Sequence, residues 1–261
     1  MSDNDIKKRL KETKVLVVGD LMLDRYWFGL ANRISPEAPV PVMVSHREES
    51  NPGMAGNVYE NVKSICSSFF KDKYDIKLIS NENNIYKTRY VDEKSNQMLC
   101  RVDSNDYSEQ SFDSSMIDEN YDAIIVADYN KGFLSEDDLE LLSQIAPYTF
   151  IDTKKRFGDW ILGYTYIKIN EKEWDENSDW EKIDQVHDRC IVTLGSKGSR
   201  LNGDLVDINR PVEVLDLSGA GDTYMAAFAM WFLENGTPLN AMNFANTMAS
   251  KVVSKQGVTI P

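Results

Sequence analysis

Short apolar, β-branched runs recur along the chain: VLVV at 15–18, IKLI at 76–79, AIIVA at 123–127, TFID at 149–152, YIKI at 166–169 and CIVTL at 190–194. They are continuous rather than alternating, as in strands of a parallel sheet buried on both faces. The stretches between them predict helices at about 55–70, 135–146 and 171–187, the second opened by Ser135 as N-cap and an acidic first turn of Glu136, Asp137 and Asp138. Toward the C-terminus, residues 222–234 read as a helix stopped by Asn235-Gly236. Thr237-Pro238 then starts another, whose Leu239, Met242, Ala245, Ala249 and Val252 fall at core spacing. The alternation predicts an α/β fold, a doubly wound, mostly parallel sheet with helices on both faces. Residues 24–45 and 85–102 break it and read as extended strands outside the main sheet, so a small β lid is expected. One domain over 1–261 is expected, without repeats or long linkers.

The chain carries 29 Lys+Arg against 42 Asp+Glu, a net charge of −13. This opposes a general electrostatic grip on nucleic acid or an anionic membrane, so neither is an expected partner. Any phosphate must be met locally. No apolar run approaches the roughly 18 residues of a membrane span, and the charged N-terminus lacks the apolar stretch of a signal peptide. Cys66, Cys100 and Cys190 are odd in number and widely spaced, which suits a reducing compartment; a cytoplasmic location is expected. His46 and His187 are the only histidines, a poor basis for a His-dependent triad or a poly-His metal site.

The most informative stretch is LSGAGDT at 217–223, between the strand-like VEVLD at 212–216 and a helix. Glycines at a helix N-terminus let backbone N–H groups approach an anion, where the helix dipole also favours negative charge. An aspartate beside such a phosphate cradle would suit taking a proton from an attacking hydroxyl. The alternative is an aspartate capping its own helix beside a tight turn. The stretch is neither a Walker A loop nor a dinucleotide fingerprint. NEKE at 170–173, after YIKI, is either a carboxylate facing phosphates through a cation or a capping box in which Asn170 caps and Glu173 closes. GSKG at 195–198 is by itself only a turn.

DLSGAGD at 216–222 resembles the D-T-x-G-A-G-D signature of the ribokinase (PfkB) family of sugar kinases. VVGDLMLDRYW at 17–27 and RISPEAPVPV at 33–42 are similar to its heptose 7-phosphate kinase branch. DYNKG at 128–132, Asp152 with Lys154, NEKE and TLGSKG at 193–198 extend the resemblance over nearly the whole chain. It implies a ribokinase-like fold and transfer of phosphoryl from ATP, with Mg²⁺, to the anomeric hydroxyl of D-glycero-D-manno-heptose 7-phosphate, giving the 1,7-bisphosphate. Carried over residue by residue, it makes Asp222 the catalytic base and Gly219, Ala220 and Gly221 the anion hole. Asn170, Glu171, Lys172 and Glu173 would serve the nucleotide phosphates, Glu173 and Asn170 holding the metal through water. Thr193, Gly195, Ser196 and Gly198 would line the nucleotide, and Asn246 would border the adenine. Asp24, Asn57 and Gly53 would bind the sugar. Arg33, Lys87, Arg89 and Arg101 are candidates for the 7-phosphate, with a solvated surface charge as the alternative for each.

The sequence departs from the family in three places. The second glycine of G-G-x-x-N is replaced in Gly53-Met54-Ala55-Gly56-Asn57, which would narrow the pocket or change the substrate. The stretch between Asn57 and Tyr86 is shorter than in relatives, which carry an extra strand and helix there. The chain stops at Pro261, near the end of the kinase domain, so no adenylyltransferase activity is expected. Two other readings stay open: a kinase for a different sugar or sugar phosphate, and a non-catalytic sugar- or nucleotide-binding regulator, which the retained Asp222, Gly219 and Gly221 oppose. A homodimer through the lid is expected, because its strands would otherwise leave a β-face or edge exposed.

Overall fold

In a computed structural model of the chain, residues 13–71, 73–82, 85–208, 216–254 and 261 are described. The strands are β1 (Thr13–Gly19), β2 (Leu21–Ile34), β3 (Pro41–Met54), β4 (Tyr74–Ser80), β5 (Tyr86–Asp92), β6 (Gln97–Ser104), β7 (Ala123–Asp128), β8 (Tyr148–Thr153), β9 (Tyr166–Asn170), β10 (Cys190–Thr193), β11 (Ser199–Leu201) and β12 (Asp204–Val206). The helices are α1 (Ala55–Phe70), α2 (Glu136–Leu142), α3 (Glu171–Asn177), α4 (Ala220–Asn235) and α5 (Pro238–Val253).

Eight strands form one sheet in the order β12-β11-β10-β9-β8-β7-β1-β4, parallel from β10 to β4 with an antiparallel β11–β12 edge. All six apolar runs lie on the parallel strands. Successive side chains leave a strand on opposite faces, so β1 feeds two cores. Val15 and Val17 pack with α1, α4 and α5, whereas Leu16 and Val18 pack with Leu139 and Leu142 of α2, Trp160 and Tyr164. The doubly wound expectation holds, and Asp20, Tyr129, Glu171 and Leu194 each follow the carboxyl end of a parallel strand, where open α/β sheets form their crevice.

Two helices are shorter than their patterns predict. The stretch expected at 135–146 ends at Leu142, where the Ser143 hydroxyl turns back to the Glu140 carbonyl and Pro147 disfavours helix at the preceding residue. The stretch expected at 171–187 ends at Asn177, whose buried side chain donates to the Glu173 carbonyl and accepts from the Phe157 N–H. Only short 3₁₀ turns follow, at Ile183–Gln185 and His187–Arg189. In the C-terminal stripe Met242, Ala245 and Val252 are buried and Ala249 half-buried, but Leu239, in the first turn of α5, is exposed. The strand reading of 212–216 lies outside the described residues except at Asp216.

The lid is a four-stranded sheet in the order β3-β2-β5-β6, in which β2 and β5 run parallel and the outer pairs antiparallel. It is longer than predicted, since β3 continues through the polar residues 46–54, which carry no period-2 apolar signal. Met22, Asp24 and Tyr26 alternate inward along β2. The short connection after α1 leads through the edge strand β4 into β5, so no further strand or helix stands between Asn57 and Tyr86 among the described residues. Met54, at the β3–α1 junction, has φ 56° and ψ −128°, a conformation suited to glycine. Its side chain is turned into a small core with Met22 and Ile85, away from solvent, so it does not narrow the pocket. No described helix is long and apolar enough to cross a membrane.

Candidate active site

Helix α4 begins at Gly219, which sits in the left-handed region at φ 78° and turns the chain into the helix, leaving the N–H groups of the first turn unpaired within it. Asp222 is in that first turn and only 4% exposed. Its Oδ2 accepts from Asn57 Nδ2 at 2.8 Å and its Oδ1 from the Tyr129 hydroxyl at 2.5 Å. Asn57 is fixed in turn by Asn61 Nδ2, which donates to its carbonyl and side-chain oxygens, while the Thr223 hydroxyl donates to Asn61 Oδ1. Burial pushes the Asp222 carboxyl up to about 6, against the Tyr129 and Asn57 hydrogen bonds that favour its charged form; the nearby Asp152 charge adds to the rise. A carboxylate held there is poised as a base near neutral pH, with lone pairs left to accept a substrate hydroxyl.

Tyr129 itself is positioned by two buried aspartates. Asp20, after β1, accepts backbone N–H bonds from Tyr129, Lys131 and Phe133. Asp128, at the end of β7, accepts from Thr153 Oγ1 and Lys155 Nζ. Burial, with the Asp128 charge beside it, raises the Asp20 carboxyl. Burial raises the Tyr129 phenol well above its ordinary value, Asp222 adding to it, so the phenol stays a donor to Asp222. DYNKG carried a family match in the sequence, but nothing local says that its tyrosine reaches an aspartate 93 positions away.

One cavity, of about 200 Å³ and mainly apolar, runs from β10 to the start of α4. Thr193, Gly195, Ser196, Gly198 and Asn246 all line it, together with Ala220 and Gly221 of the cradle. The structure adds Ile208, Leu217, Tyr224, Ala249, Ser250 and Val253, whose apolar character suits a flat aromatic ring. Asn246 is buried, and its amide donates to the Val206 carbonyl at 2.8 Å, so it ties the cavity wall to β12.

The NEKE stretch forms the capping box: Asn170 Oδ1 accepts from the Glu173 N–H and Glu173 Oε2 from the Asn170 N–H. Glu173 Oε1 still accepts from Lys154 Nζ at 2.6 Å, and Lys154 lies 3.4 Å from Asp152. Burial alone would lower the Lys154 ammonium, but Asp152 and Glu173 outweigh it and raise it. Glu171 and Lys172 point to solvent, Lys172 pairing with Glu176, so the structure does not bring these two into the site. Among the described residues no three His, Cys, Asp or Glu side chains converge on a metal position. Glu173, joined through Lys154 to Asp152, offers a carboxylate that would suit Mg²⁺ nonetheless, because that ion is ordinarily held by phosphates, waters and one or two carboxylates rather than by an all-protein cage.

A second cavity, of about 700 Å³, opens between the lid and the turn that leads into α4; Asp216 and Ser218 line it with Tyr26, Asn51, Arg47, Arg89 and Arg101. Asp24, buried and not itself part of the cavity wall, is ion-paired with Arg89 of that wall, whose side chain is 15% exposed. Gly53 packs closely against Asp24 and Met22: a Cβ would come within 2.6 Å of Asp24 Oδ2 and of Met22 Cε, so a larger residue there would displace the Asp24 carboxylate or the Met22 methyl. Arg47 pairs with Glu49 and Glu93, and Arg101 with Asp103. Lys87 stands beside Asp24 in the β2–β5 register, half-buried, and burial lowers its ammonium. Arg33, opposite Val42 near the far end of the β2–β3 hairpin, is exposed and is not part of the cavity wall. Arg47 carried no family match and lies in a polar run, so only the fold reveals it.

Comparison with known proteins agrees with this fold. The family of pfkB carbohydrate kinases matches residues 77–261. The bifunctional protein HldE of Pasteurella multocida is 30% identical over 299 residues, covering 95% of this chain and 62% of the relative, so the chain spans about three-fifths of that protein. Among solved structures, the ribokinase of Thermotoga maritima superposes with a TM-score of 0.67 at 18% identity, covering 94% of each chain. The ribokinase of Arabidopsis thaliana, complexed with ribose and ATP, gives 0.63 at 17% identity over 94% of each.

Proposed function

The chain belongs to the pfkB family of carbohydrate kinases, phosphotransferases that act on a sugar hydroxyl, and from that premise we propose that it phosphorylates the anomeric hydroxyl of D-glycero-D-manno-heptose 7-phosphate with ATP, acting as one kinase domain over 1–261. The observation that carries the reading is the turn Asp216 to Asp222, which supplies walls to both cavities and ends on a buried carboxylate held by Asn57 and Tyr129.

The nucleotide occupies the cavity beside Thr193, Gly195, Ser196, Gly198 and Asn246, with its phosphates at the cradle. The sugar lies under the lid on Asp24, Asn57 and the backbone at Gly53. Asp222 takes the proton of the attacking hydroxyl as the new O–P bond forms. The bond from the γ-phosphorus to its bridging oxygen breaks, the electron pair leaving with ADP. The N–H groups of Gly219, Ala220 and Gly221 receive the charge that develops on the transferring group. Glu173, with Asn170 and water, would hold Mg²⁺, which neutralises phosphate charge when bound.

Two things support heptose 7-phosphate as substrate: the resemblance of residues 17–42 to the heptose kinase branch, and the similarity to HldE proteins. The lid cavity adds Arg89, Arg101 and Arg47, guanidinium groups whose planar donors match a phosphate. Arg33 does not reach it. The lid also exposes Ile34, Val40, Val44, Met98 and Val102, which supports a homodimer through this sheet.

The test is ADP release with Mg·ATP across a panel of sugars and sugar phosphates. Turnover greatest on the heptose 7-phosphate supports the substrate. Turnover greatest on another sugar keeps the mechanism and replaces the substrate. Nucleotide binding without turnover on any sugar supports a regulator instead.

A further inference from the structure

Lys168 lies on β9 and is 3% exposed. Its Nζ donates to Asp152 Oδ2 at 2.6 Å, and Asp152, equally buried, stands beside it in the β8–β9 register. Burial would push the Asp152 carboxyl up, but Lys168 and Lys154 more than offset it and hold it below its ordinary value. A buried ion pair is a poor stabiliser, because removing two charges from water costs several kcal/mol per ion before their attraction repays it. On one side the pair has aromatic neighbours: Tyr166, two positions before Lys168, and Phe150, two before Asp152, both pack on Phe228 of α4. On the other, Asp152 meets Lys154, 3.4 Å away.

What sets this place apart is the first turn of α4 above it. A Cβ at Gly221 would come within 2.8 Å of Lys168 Nζ, so the missing side chain lets the ammonium stand against the backbone of the cradle. The ammonium carries three N–H donors, and among the described residues Asp152 is its hydrogen-bond partner. Positive charge at a helix N-terminus is unfavourable in the empty protein and favourable once an anion is there.

We propose that Lys168, held by Asp152, is the fixed cation of the phosphate cradle, acting beneath Gly221 on the charge that develops during transfer. In this role it is a positioning residue for the electrostatics of the cradle, and nothing in the sequence singled it out from its strand. The inference rests on the kinase reading. It predicts a larger effect on the transition state, where charge spreads over the equatorial oxygens of the transferring group, than on nucleotide binding.

The experiment compares the parent protein with Lys168→Met and with Lys168→Met/Asp152→Asn, in which both partners are neutral and no charge is left unpaired at the site. Read out are kcat, KM for ATP, thermal melting, affinity for ADP, and affinity for ADP with aluminium fluoride and Mg²⁺, a mimic of the transferring phosphoryl. Loss of one preorganised donor of this kind ordinarily lowers kcat about 10²–10³-fold. The expected result is a fall of that order in both variants, with KM for ATP and ADP affinity within about threefold and the fluoroaluminate complex weakened in step with kcat. The double variant melts at or above the parent. Near-parental kcat in either folded variant overturns the proposal, as does ADP affinity that falls as far as kcat. A parent inactive on every sugar overturns this inference and the kinase reading together, whereas an active parent with equally active variants overturns this inference alone.

Discussion

In the proposed mechanism Asp222 sets the pH dependence of activity. With its carboxyl raised to about 6, the acid limb of kcat/KM falls near pH 6, activity rising as the base ionises. Tyr129→Phe removes a donor to the charged form, so that limb moves to higher pH while the fold is kept; an unmoved limb would detach Tyr129 from the base. Asp222→Asn is expected to lower kcat by about 10²–10⁴. Its stability has a definite sign. The unfolded carboxyl titrates near 3.8 and the folded one near 6, so the native state holds the proton more tightly and this contribution is lost as pH rises through 6. The neutral variant therefore melts at or above the parent at pH 8, and the gap closes toward pH 4; calorimetry at the two values reads it. Asp222, Asn57 and the cavity-lining Thr193, Gly195, Ser196 and Gly198 could be picked out of the sequence because each sits in a motif, whereas Asn246 was reached only through its place on a later helix. Tyr129, Arg47 and Lys168 could not be picked out, since what defines them is a partner on another strand or helix.

Among the elements, the junction of β3 and α1 is the most unusual. Met54 keeps the backbone conformation of a glycine while burying a large side chain. Truncating a buried methionine to alanine costs about 2–5 kcal/mol, and a strained non-glycine φ costs of order 1–3 kcal/mol. Met54→Ala keeps the strain and loses the packing, whereas Met54→Gly loses the packing but sheds the strain. Denaturation should thus place Met54→Gly above Met54→Ala in stability, the reverse of the usual order, with both below the parent. The parallel strands were readable because burial on both faces leaves continuous apolar runs. Helix ends were less so: Ser143 and Asn177 stop α2 and α3 through side-chain bonds that periodicity does not register. The polar half of β3 is lid, where a strand has little core to face.

At the scale of the whole molecule, the lid both lines the second cavity and exposes apolar side chains. If copies pair through it, Val44→Lys or Ile34→Lys, at positions 66% and 63% exposed, should yield folded monomers whose melting temperature no longer depends on protein concentration. Sedimentation of the parent as a monomer at micromolar concentration would contradict the dimer. The central claim is phosphoryl transfer to an anomeric hydroxyl by Asp222, and its most direct test is phosphorus NMR of D-glycero-D-manno-heptose 7-phosphate incubated with Mg·ATP. The account predicts a new sugar-phosphate resonance coupled to the anomeric proton, appearing in step with ADP and nearly abolished in folded Asp222→Asn. ADP formation without that resonance, or the same resonance at parental rate in the variant, would contradict it.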